Sequence, residues 1–170
     1  YGGLDWMTGQ PLLTLSSMLT ISGNERPKAY VDTIRQVVGE DKTAVGPLKC
    51  ADYAVGTRVG VERKRTGNLV SSLTKTVHQG TDQEDKELWD QMRRCLETYQ
   101  RVYLLVEGSL EMTTDPKACY AEGRYRKVGW VAVQSALNKV QEMGVWLVWT
   151  RDIGETALWL KWMHGKTRKL

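Results

Sequence analysis

Residues 102–106 form an unbroken apolar run, Val-Tyr-Leu-Leu-Val, which restricts the fold more than any other feature of the sequence. A strand-length segment that is apolar on both faces is typical of a strand inside a sheet whose two faces are covered. Residues 145–149, Val-Trp-Leu-Val-Trp, repeat this pattern and predict a second buried strand. The chain is therefore expected to contain a sheet packed between layers of helices.

Residues typical of helix ends predict which segments form the helices of those layers. Pro27 suits the first turn of a helix that ends at Gly39, and Asp152 with Glu155 caps the last helix. Apolar spacing predicts three further helices, within residues 69–77, 88–99 and 128–143. It also predicts three further strands, at residues 12–21, 48–55 and 57–64. This order predicts an α/β three-layer domain with a mixed central sheet and helices on both faces.

The length and composition suit one globular domain, with 170 residues of which 41% are hydrophobic. We expect a flexible lead at 1–11, the domain at 12–164 and a basic tail at 165–170. The sequence has neither an apolar stretch of membrane-spanning length nor a signal peptide pattern, which predicts an intracellular protein without a membrane partner. The three cysteines lack a CxxC pair, which argues against a disulfide framework and a structural zinc site and predicts reduced, buried thiols.

Basic residues are unevenly distributed along the chain. Lys and Arg number 24 against 20 Asp and Glu, and this net charge of +4 permits nucleic acid binding without requiring it. The cations cluster at 58–75, at 124–127 and at the carboxyl end, and segment 108–127 is expected to be a long polar surface loop near a functional site. Any one cluster is explained as solvated surface, whereas convergence on one face favours DNA. The candidate DNA contacts are Arg63, Arg65, Lys75, Arg124, Arg126 and Lys127.

Most familiar catalytic motifs are missing from the sequence. There is no Gly-rich phosphate loop, no nucleophile elbow and no HExxH, and the only histidines are His78 and His164. His78 is expected near a helix end and His164 in the basic tail, so each is interpreted as a cap or surface residue. A Ser-His-Asp triad is therefore not predicted.

A pair of carboxylates is the strongest candidate for chemistry. If 48–55 and 57–64 are adjacent antiparallel strands, Asp52 and Glu62 point into one space and offer the oxygen ligands that Mg²⁺ or Mn²⁺ prefers. Lys64 lies two residues after Glu62, so both side chains leave the strand on the same face. This arrangement suits phosphodiester hydrolysis, although charged residues alternating on an exposed strand are the common explanation of such a pattern.

The segments that carry these residues resemble a known nuclease motif. Residues 51–53, Ala-Asp-Tyr, and 61–73, Val-Glu-Arg-Lys-Arg-Thr-Gly-Asn-Leu-Val-Ser-Ser-Leu, are similar to the motif of the XPF-type (ERCC4-like) structure-specific endonucleases. That motif is Gly-Asp, a spacer, Glu-Arg-Lys, three residues and Asp, followed by an apolar helix. Residues 24–27, 102–108 and 145–158 resemble further family segments, and the similarity extends from Leu12 to Met163.

The resemblance implies a restriction-endonuclease-like core that binds a divalent metal and cuts branched DNA such as flaps, forks or four-way junctions. By this comparison Asp52 and Glu62 are metal ligands, the carbonyl of Arg63 is a possible third ligand, and Lys64 orients the attacking water. The Arg63 side chain braces the strand or contacts phosphate, and Glu25 matches a family acid. Such an enzyme is expected to be associated with DNA in the cell.

The chain departs from the family motif at four positions. Ser22 and Asn68 stand where the family has Asp, Asn24 replaces an Arg, and Ala51 replaces a Gly. Asn68 retains coordinating or hydrogen-bonding atoms and stays among the candidate catalytic residues, but the site has lost negative charge. An active endonuclease is favoured because Glu62, Arg63 and Lys64 are intact. The alternatives are a catalytically weakened or inactive DNA-binding partner subunit and an α/β domain that binds no nucleic acid.

The chain has seven Trp and no Phe. The apolar patterns predict four of these in the core, namely Trp89, Trp146, Trp149 and Trp159. The resemblance implies pairing through helices that flank the last strand, as a homodimer or as a heterodimer with a related subunit. Trp159, Trp162 and Met163 are candidates for that dimer face, and burial within the monomer is the open alternative.

Overall fold

The computed structural model describes residues 17–25, 27–79 and 83–168, without the side chains of residues 73–87. The predicted lead at 1–11 and most of the first predicted strand lie outside these residues. Five α-helices are present in the described part: α1 (Lys28–Val38), α2 (Thr66–Gln79), α3 (Gln83–Thr98), α4 (Trp130–Glu142) and α5 (Ile153–Thr167). The strands are β1 (Leu19–Ser22), β2 (Thr43–Gly46), β3 (Tyr53–Val55), β4 (Val59–Arg65), β5 (Arg101–Glu107), β6 (Leu110–Met112), β7 (Cys119–Ala121), β8 (Arg124–Arg126) and β9 (Trp146–Thr150).

Six strands form the central sheet in the order β2-β1-β3-β4-β5-β9. The sheet is mixed: β1 and β2 are parallel, as are β4, β5 and β9, whereas β3 runs antiparallel to both β1 and β4. The predicted hairpin is confirmed as the β3–β4 pair, although residues 48–52 precede the strand. Both strands predicted from apolar runs are present, as β5 and β9.

Helices cover both faces of this sheet, as predicted. Alternate residues of each strand point to opposite faces, so Leu104 and Leu105 on β5 enter different cores. Helices α2, α3 and α4 pack on the Leu104 face, and α1 and α5 pack on the Leu105 face. The chain therefore has the expected three layers.

The end of α1 and the start of α5 agree with the sequence, whereas Pro27 lies at the N-cap of α1, one residue before its first turn. Gly39 follows α1 with a φ of 117°, a left-handed conformation that favours glycine. Asp152 accepts a hydrogen bond of 3.0 Å from the Glu155 amide at the start of α5. Helix α5 continues to Thr167, so the first three residues of the predicted tail are helical. His164 is buried in this helix and its Nε2 donates to the Ser17 carbonyl at 2.7 Å, so the predicted surface or cap position is wrong.

The predicted loop at 108–127 is wrong. Strands β6, β7 and β8 form a separate antiparallel sheet in this segment, and β7 pairs with both neighbours. Each strand has only three residues, which is too short for a clear alternation of polar and apolar positions. This small sheet packs against α2 and buries Cys119 and Ala121 in the core under α2–α4.

The edge strands also differ from expectation. Strand β2 is absent from the sequence-based prediction because its four residues carry little apolar signal. Strand β9 lies at the opposite edge, where Trp146 is 58% and Trp149 is 43% exposed. The prediction of a fully buried strand with both tryptophans in the core is therefore wrong. The segments of β5 and β9 are equally apolar, but only the neighbours of a strand in the fold decide whether its faces are covered.

The three cysteines are free thiols, with Cys95 and Cys119 buried as predicted and Cys50 half-buried. Among the described residues, no helix combines the length and the apolar character needed to cross a membrane.

Candidate active site

The β3–β4 hairpin sets the positions of the two predicted metal ligands. Tyr53 pairs with Val61 in the antiparallel register, and the Asp52 amide donates to the Val61 carbonyl at 3.0 Å. Asp52 lies just before β3, outside the paired residues, and is hydrogen-bonded to both chain neighbours of Glu62, because its carboxylate also accepts from the Arg63 amide. The two carboxyl groups therefore lie close together, and the Asp52 charge raises the pKa of Glu62. Lys64 leaves β4 on the same face as Glu62 because it follows Glu62 by two residues. The pairing that the sequence only assumed is thus present.

The segment before β3 positions Asp52 through its backbone and side chain. The Asp52 carboxylate accepts a hydrogen bond of 2.8 Å from the Arg63 amide, and its carbonyl accepts one of 2.8 Å from the Ser22 amide. Ala51 has a φ of 76°, a left-handed conformation that an alanine adopts at a steric cost. This explains why the related motif has glycine at that position.

The two carboxyl groups share a poorly solvated space. Burial raises the pKa of Glu62 to about 8, with the Asp52 charge adding to the increase and Lys64 opposing it. Burial also raises the pKa of Asp52 to about 6, against the Arg63 amide, which favours the carboxylate. Both carboxyl groups therefore resist full ionisation at neutral pH, and a nearby cation would favour their charged forms.

The Glu62 carboxylate retains an acceptor that the protein does not use. Glu62 is 94% buried, and its Oε2 has no hydrogen-bond partner among the described residues. Such an orphaned, buried oxygen fits a ligand for a hard cation. Among the described residues, no group of three or more His, Cys, Asp or Glu side chains is arranged to hold a metal ion. Mg²⁺ commonly binds one or two carboxylates and keeps several waters, so Asp52 and Glu62 fit this ion even without a third acid.

Arg63 points to the opposite face and braces the hairpin. Its guanidinium forms ion pairs of 3.0 Å with Glu25 and 3.1 Å with Glu107, with 7% of the side chain exposed. It also stacks 4.4 Å from the centre of the Tyr30 ring. Glu107 in turn accepts a hydrogen bond of 2.6 Å from Thr156 on α5. Of the two roles considered for this side chain, the geometry supports bracing rather than a phosphate contact.

Glu25 and Asn68, the other two candidate catalytic residues, differ in how close they lie to Asp52 and Glu62. The charge of Glu25 contributes to the raised pKa of both Asp52 and Glu62, which places it nearby, but one of its oxygens is bound to Arg63. Asn68 is exposed in the first turn of α2, and the described residues include no hydrogen bond from its side chain to Asp52 or Glu62. The structure therefore brings Glu25, but not Asn68, into contact with the residues around the carboxylates.

The predicted DNA contacts gather partly on one surface. Arg65 forms an ion pair with Glu122 of the β7–β8 turn, and the Arg126 guanidinium lies beside Gly67 at the start of α2. Arg124 and Lys127 are exposed on and just after β8. The small sheet thus carries a basic surface next to the end of β4, where Lys64 lies. The side chain of Lys75 is outside the described residues.

Sequence reasoning did not identify Gln91, Tyr30 or Thr156. Gln91 on α3 lies beside Glu62 and lowers the pKa of that carboxyl. Its neighbours Leu88, Met92 and Cys95 are buried, and a polar residue bordering this apolar stripe was the available signal. Tyr30 and Thr156 meet the Arg63 network from distant segments, for which the sequence has no local signal.

Comparison with known proteins places the chain in a family. The chain matches the model of the ERCC4 domain over residues 32–163, which is more than half of its length. No curated protein matches the chain. It is similar to the solved structure of XPF from Aeropyrum pernix, with a TM-score of 0.64 and 20% identity. It is also similar to XPF from Aeropyrum pernix in complex with DNA, with a TM-score of 0.60 and 22% identity.

Each structural alignment covers 89% of this chain and 65% of the matched chain, so the protein spans about 65% of the length of these structures. The mixed sheet and its helices have the XPF nuclease fold, which is restriction-endonuclease-like. The match to the family model and the Asp52, Glu62 and Lys64 arrangement lead to one conclusion: the chain belongs to the ERCC4 domain family.

Proposed function

We propose that this chain is a metal-dependent endonuclease that hydrolyses phosphodiester bonds in branched DNA. The observation that carries the proposal is the closeness of Asp52 to Glu62, since Asp52 is hydrogen-bonded to Val61 and Arg63 on either side of Glu62. Lys64 leaves β4 on the same face as Glu62. Structural hairpins have no need for two buried carboxyl groups whose pKa values are both raised by burial. Carboxyl groups with strongly raised pKa values are typical of functional sites.

The residues of the chain have separable roles in this mechanism. Asp52 and Glu62 would hold Mg²⁺ or Mn²⁺, with the Arg63 carbonyl as a further candidate ligand. When bound, the ion supplies polarisation of a phosphate oxygen and activation of water. Lys64 orients the attacking water and offsets the negative charge that develops on the phosphate. The Arg63 amide holds Asp52 in position through its hydrogen bond.

The proposed substrates are flaps, forks and four-way junctions, which would place the protein in DNA repair or recombination. The family assignment supports this choice, and XPF from Aeropyrum pernix was solved with DNA. On this chain, Arg65, Arg124, Arg126 and Lys127 carry a positive surface beside the end of β4. Such a surface suits the phosphate backbone of the DNA arm that enters the site.

We propose further that the chain acts as a dimer, either with a second copy or with a related subunit. Large apolar side chains are exposed on β9 and on the helices beside it: Val131, Trp146, Trp149, Leu158 and Trp162. A cluster of exposed aromatic side chains at a sheet edge is typical of an interface. Met163 is buried in the core and Trp159 packs edge-on against Tyr103, so of the three residues expected at the dimer face, Trp162 is the exposed one.

Cleavage of labelled branched DNA tests the enzymatic proposal. With Mg²⁺ or Mn²⁺, we expect the protein to cut flap, fork or four-way junction DNA, and we expect Lys64→Ala to lower the cleavage rate about 100-fold or more. Lys139→Ala is the matched control, because Lys139 is exposed on α4 away from the hairpin. DNA binding without any cut, by the chain and by its Asn68→Asp variant, would instead support the inactive partner subunit.

A further inference from the structure

A pocket lies at the end of the sheet away from the carboxylate pair. It has a volume of about 500 Å³ and is lined by Arg58, Val59, Gln100, Arg101, Met163, Lys166 and Thr167. Arg58 precedes β4, whereas Lys64 lies near its other end, and six residues of strand separate them by about 20 Å. A ligand in this pocket is therefore not a ligand of the carboxylate pair.

The charge of this pocket is strongly positive. Arg58, Arg101 and Lys166 contribute three cations, and its lining contains no acidic residue. None of the three cations forms an ion pair within the described part of the chain. Like charges that converge without a counter-charge repel one another, and a bound anion relieves that repulsion.

Aromatic rings hold two of these cations in place. The Arg101 guanidinium lies 5.7 Å from the centre of the Trp146 ring, and the Lys166 ammonium lies 4.9 Å from the centre of the Trp162 ring. These contacts restrict the side chains before any ligand arrives, which lowers the entropic cost of binding. The buried side chains of Met163 and Val59 provide an apolar floor of the pocket.

The geometry points to a phosphate ester as the ligand of this pocket. Arginine forks bind phosphate oxygens through two hydrogen bonds, and a lysine adds a compact charge beside them. The volume exceeds what a phosphate ion needs and leaves room for an attached sugar. We infer that the pocket binds the phosphate of a nucleotide or of a nucleic acid backbone. The inference does not depend on cleavage at the carboxylate pair.

Binding measurements without divalent metal test this inference and separate the two sources. The probes are inorganic phosphate, a nucleoside 5′-monophosphate and a fluorescent single-stranded oligonucleotide, each titrated into the protein and into an Arg101→Gln, Lys166→Gln double variant. We expect the double variant to bind at least one probe about tenfold more weakly. A Lys42→Gln, Lys139→Gln variant removes the same charge from exposed positions outside the pocket and is expected to lose less than twofold.

The outcomes distinguish the ligand sources. If the double variant loses affinity for the mononucleotide about tenfold, the pocket is assigned to free nucleotides. If it loses affinity only for the oligonucleotide, and that binding depends less steeply on salt, the pocket is assigned to the nucleic acid backbone. Equal losses in the pocket and control variants would overturn the inference, as would an unchanged affinity for all three probes. Arg58→Gln serves as a second pocket variant if the double variant shows an altered melting temperature. Cleavage by the same variants is scored separately, so failure here leaves the proposed catalytic role unaffected.

Discussion

Gly60 on β4, two residues before Glu62, lies where an added side chain has no room. A Cβ at this position would lie 2.3 Å from the Tyr99 ring, whose hydroxyl donates a hydrogen bond of 3.1 Å to the Cys50 carbonyl. Cys50 precedes the segment that carries Asp52. The absence of a side chain at Gly60 therefore leaves room for Tyr99, which follows α3, to hold the backbone two residues before Asp52.

We predict that Gly60→Ala lowers the free energy of unfolding by about 1–3 kcal/mol, because Tyr99 must move and release Cys50. Gly46→Ala on β2 is the matched control, since an added Cβ there meets no atom within 4 Å. Urea unfolding of both variants provides the measurement. Equal stabilities for the two variants would contradict the packing described for Tyr99.

The raised pKa values of Asp52 and Glu62, about 6 and about 8, predict how pH affects the metal-free protein. A group whose pKa is raised by folding stabilises the folded state below its unfolded pKa, and this contribution is lost as pH rises through the folded pKa. The pair therefore costs stability progressively between about pH 4 and pH 8. Mg²⁺ favours the ionised carboxylates and should restore stability at the upper end of this range.

Thermal unfolding with a chelator at pH 5 and pH 8.5 checks this dependence. We expect Glu62→Gln to change stability little at pH 5 and to stabilise the metal-free protein at pH 8.5, where the unmodified chain carries both charges. Added Mg²⁺ should raise the melting temperature of the unmodified chain more than that of Glu62→Gln. An identical pH dependence of the two proteins would show that Glu62 ionises normally.

At the scale of elements, the Arg63 network joins β4, β5, α5 and the segment before α1. Arg63 on β4 reaches Glu107 at the end of β5, Glu107 accepts from Thr156 on α5, and Glu25 completes the set. Thr150 at the end of β9 lies 2.8 Å from the Thr156 hydroxyl. These contacts connect the strand that carries Glu62 and Lys64 to the helices behind it.

We predict that Glu107→Ala destabilises the protein by about 3–5 kcal/mol, because it removes one of the two carboxylates that pair with the buried Arg63 guanidinium. Asp90→Ala is the control, since Asp90 pairs with Arg93 on the exposed side of α3 and is expected to change stability by less than about 0.5 kcal/mol. Denaturant unfolding compares the two. Similar small effects would mean that the Arg63 network contributes little to stability.

Elements with local signals were predicted well, and short strands were not. The β3–β4 hairpin, the ends of α1 and α5, and β5 follow from turn residues, caps and an apolar run. Strand β2 and the small sheet of β6, β7 and β8 consist of three or four residues each. Such segments are too short for a clear alternation of polar and apolar positions, and β2 also depends on β1, a partner that is distant in the sequence.

At the scale of the whole molecule, the exposed apolar residues on β9 and α5 predict self-association or pairing with a related chain. An unpaired sheet edge with exposed tryptophans loses unfavourable contact with water when a second surface covers it. Leu158 is 61% exposed on α5 within this face. Substituting it with a charged residue should prevent close packing without disturbing the core.

We expect the unmodified protein to sediment as a dimer and Leu158→Glu to sediment as a monomer with an unchanged melting profile at low concentration. Val45→Glu on β2 is the control, because Val45 is 51% exposed at the opposite edge of the sheet. A monomer for the unmodified protein would favour a related subunit as the partner. That partner is then tested by mixing the two chains and repeating the sedimentation measurement.

The sequence by itself determined the hairpin, the spacing of Asp52, Glu62 and Lys64, and the alternation of strands and helices. These features depend on residues close together in the chain, where turn chemistry and side-chain alternation act directly. Only the tertiary structure decided that β9 is an edge strand, that residues 108–127 pack against α2, and that Arg63 is held by Glu25 and Glu107. Those outcomes depend on which distant segments meet, because burial and pairing are properties of neighbours in space rather than of neighbours in sequence.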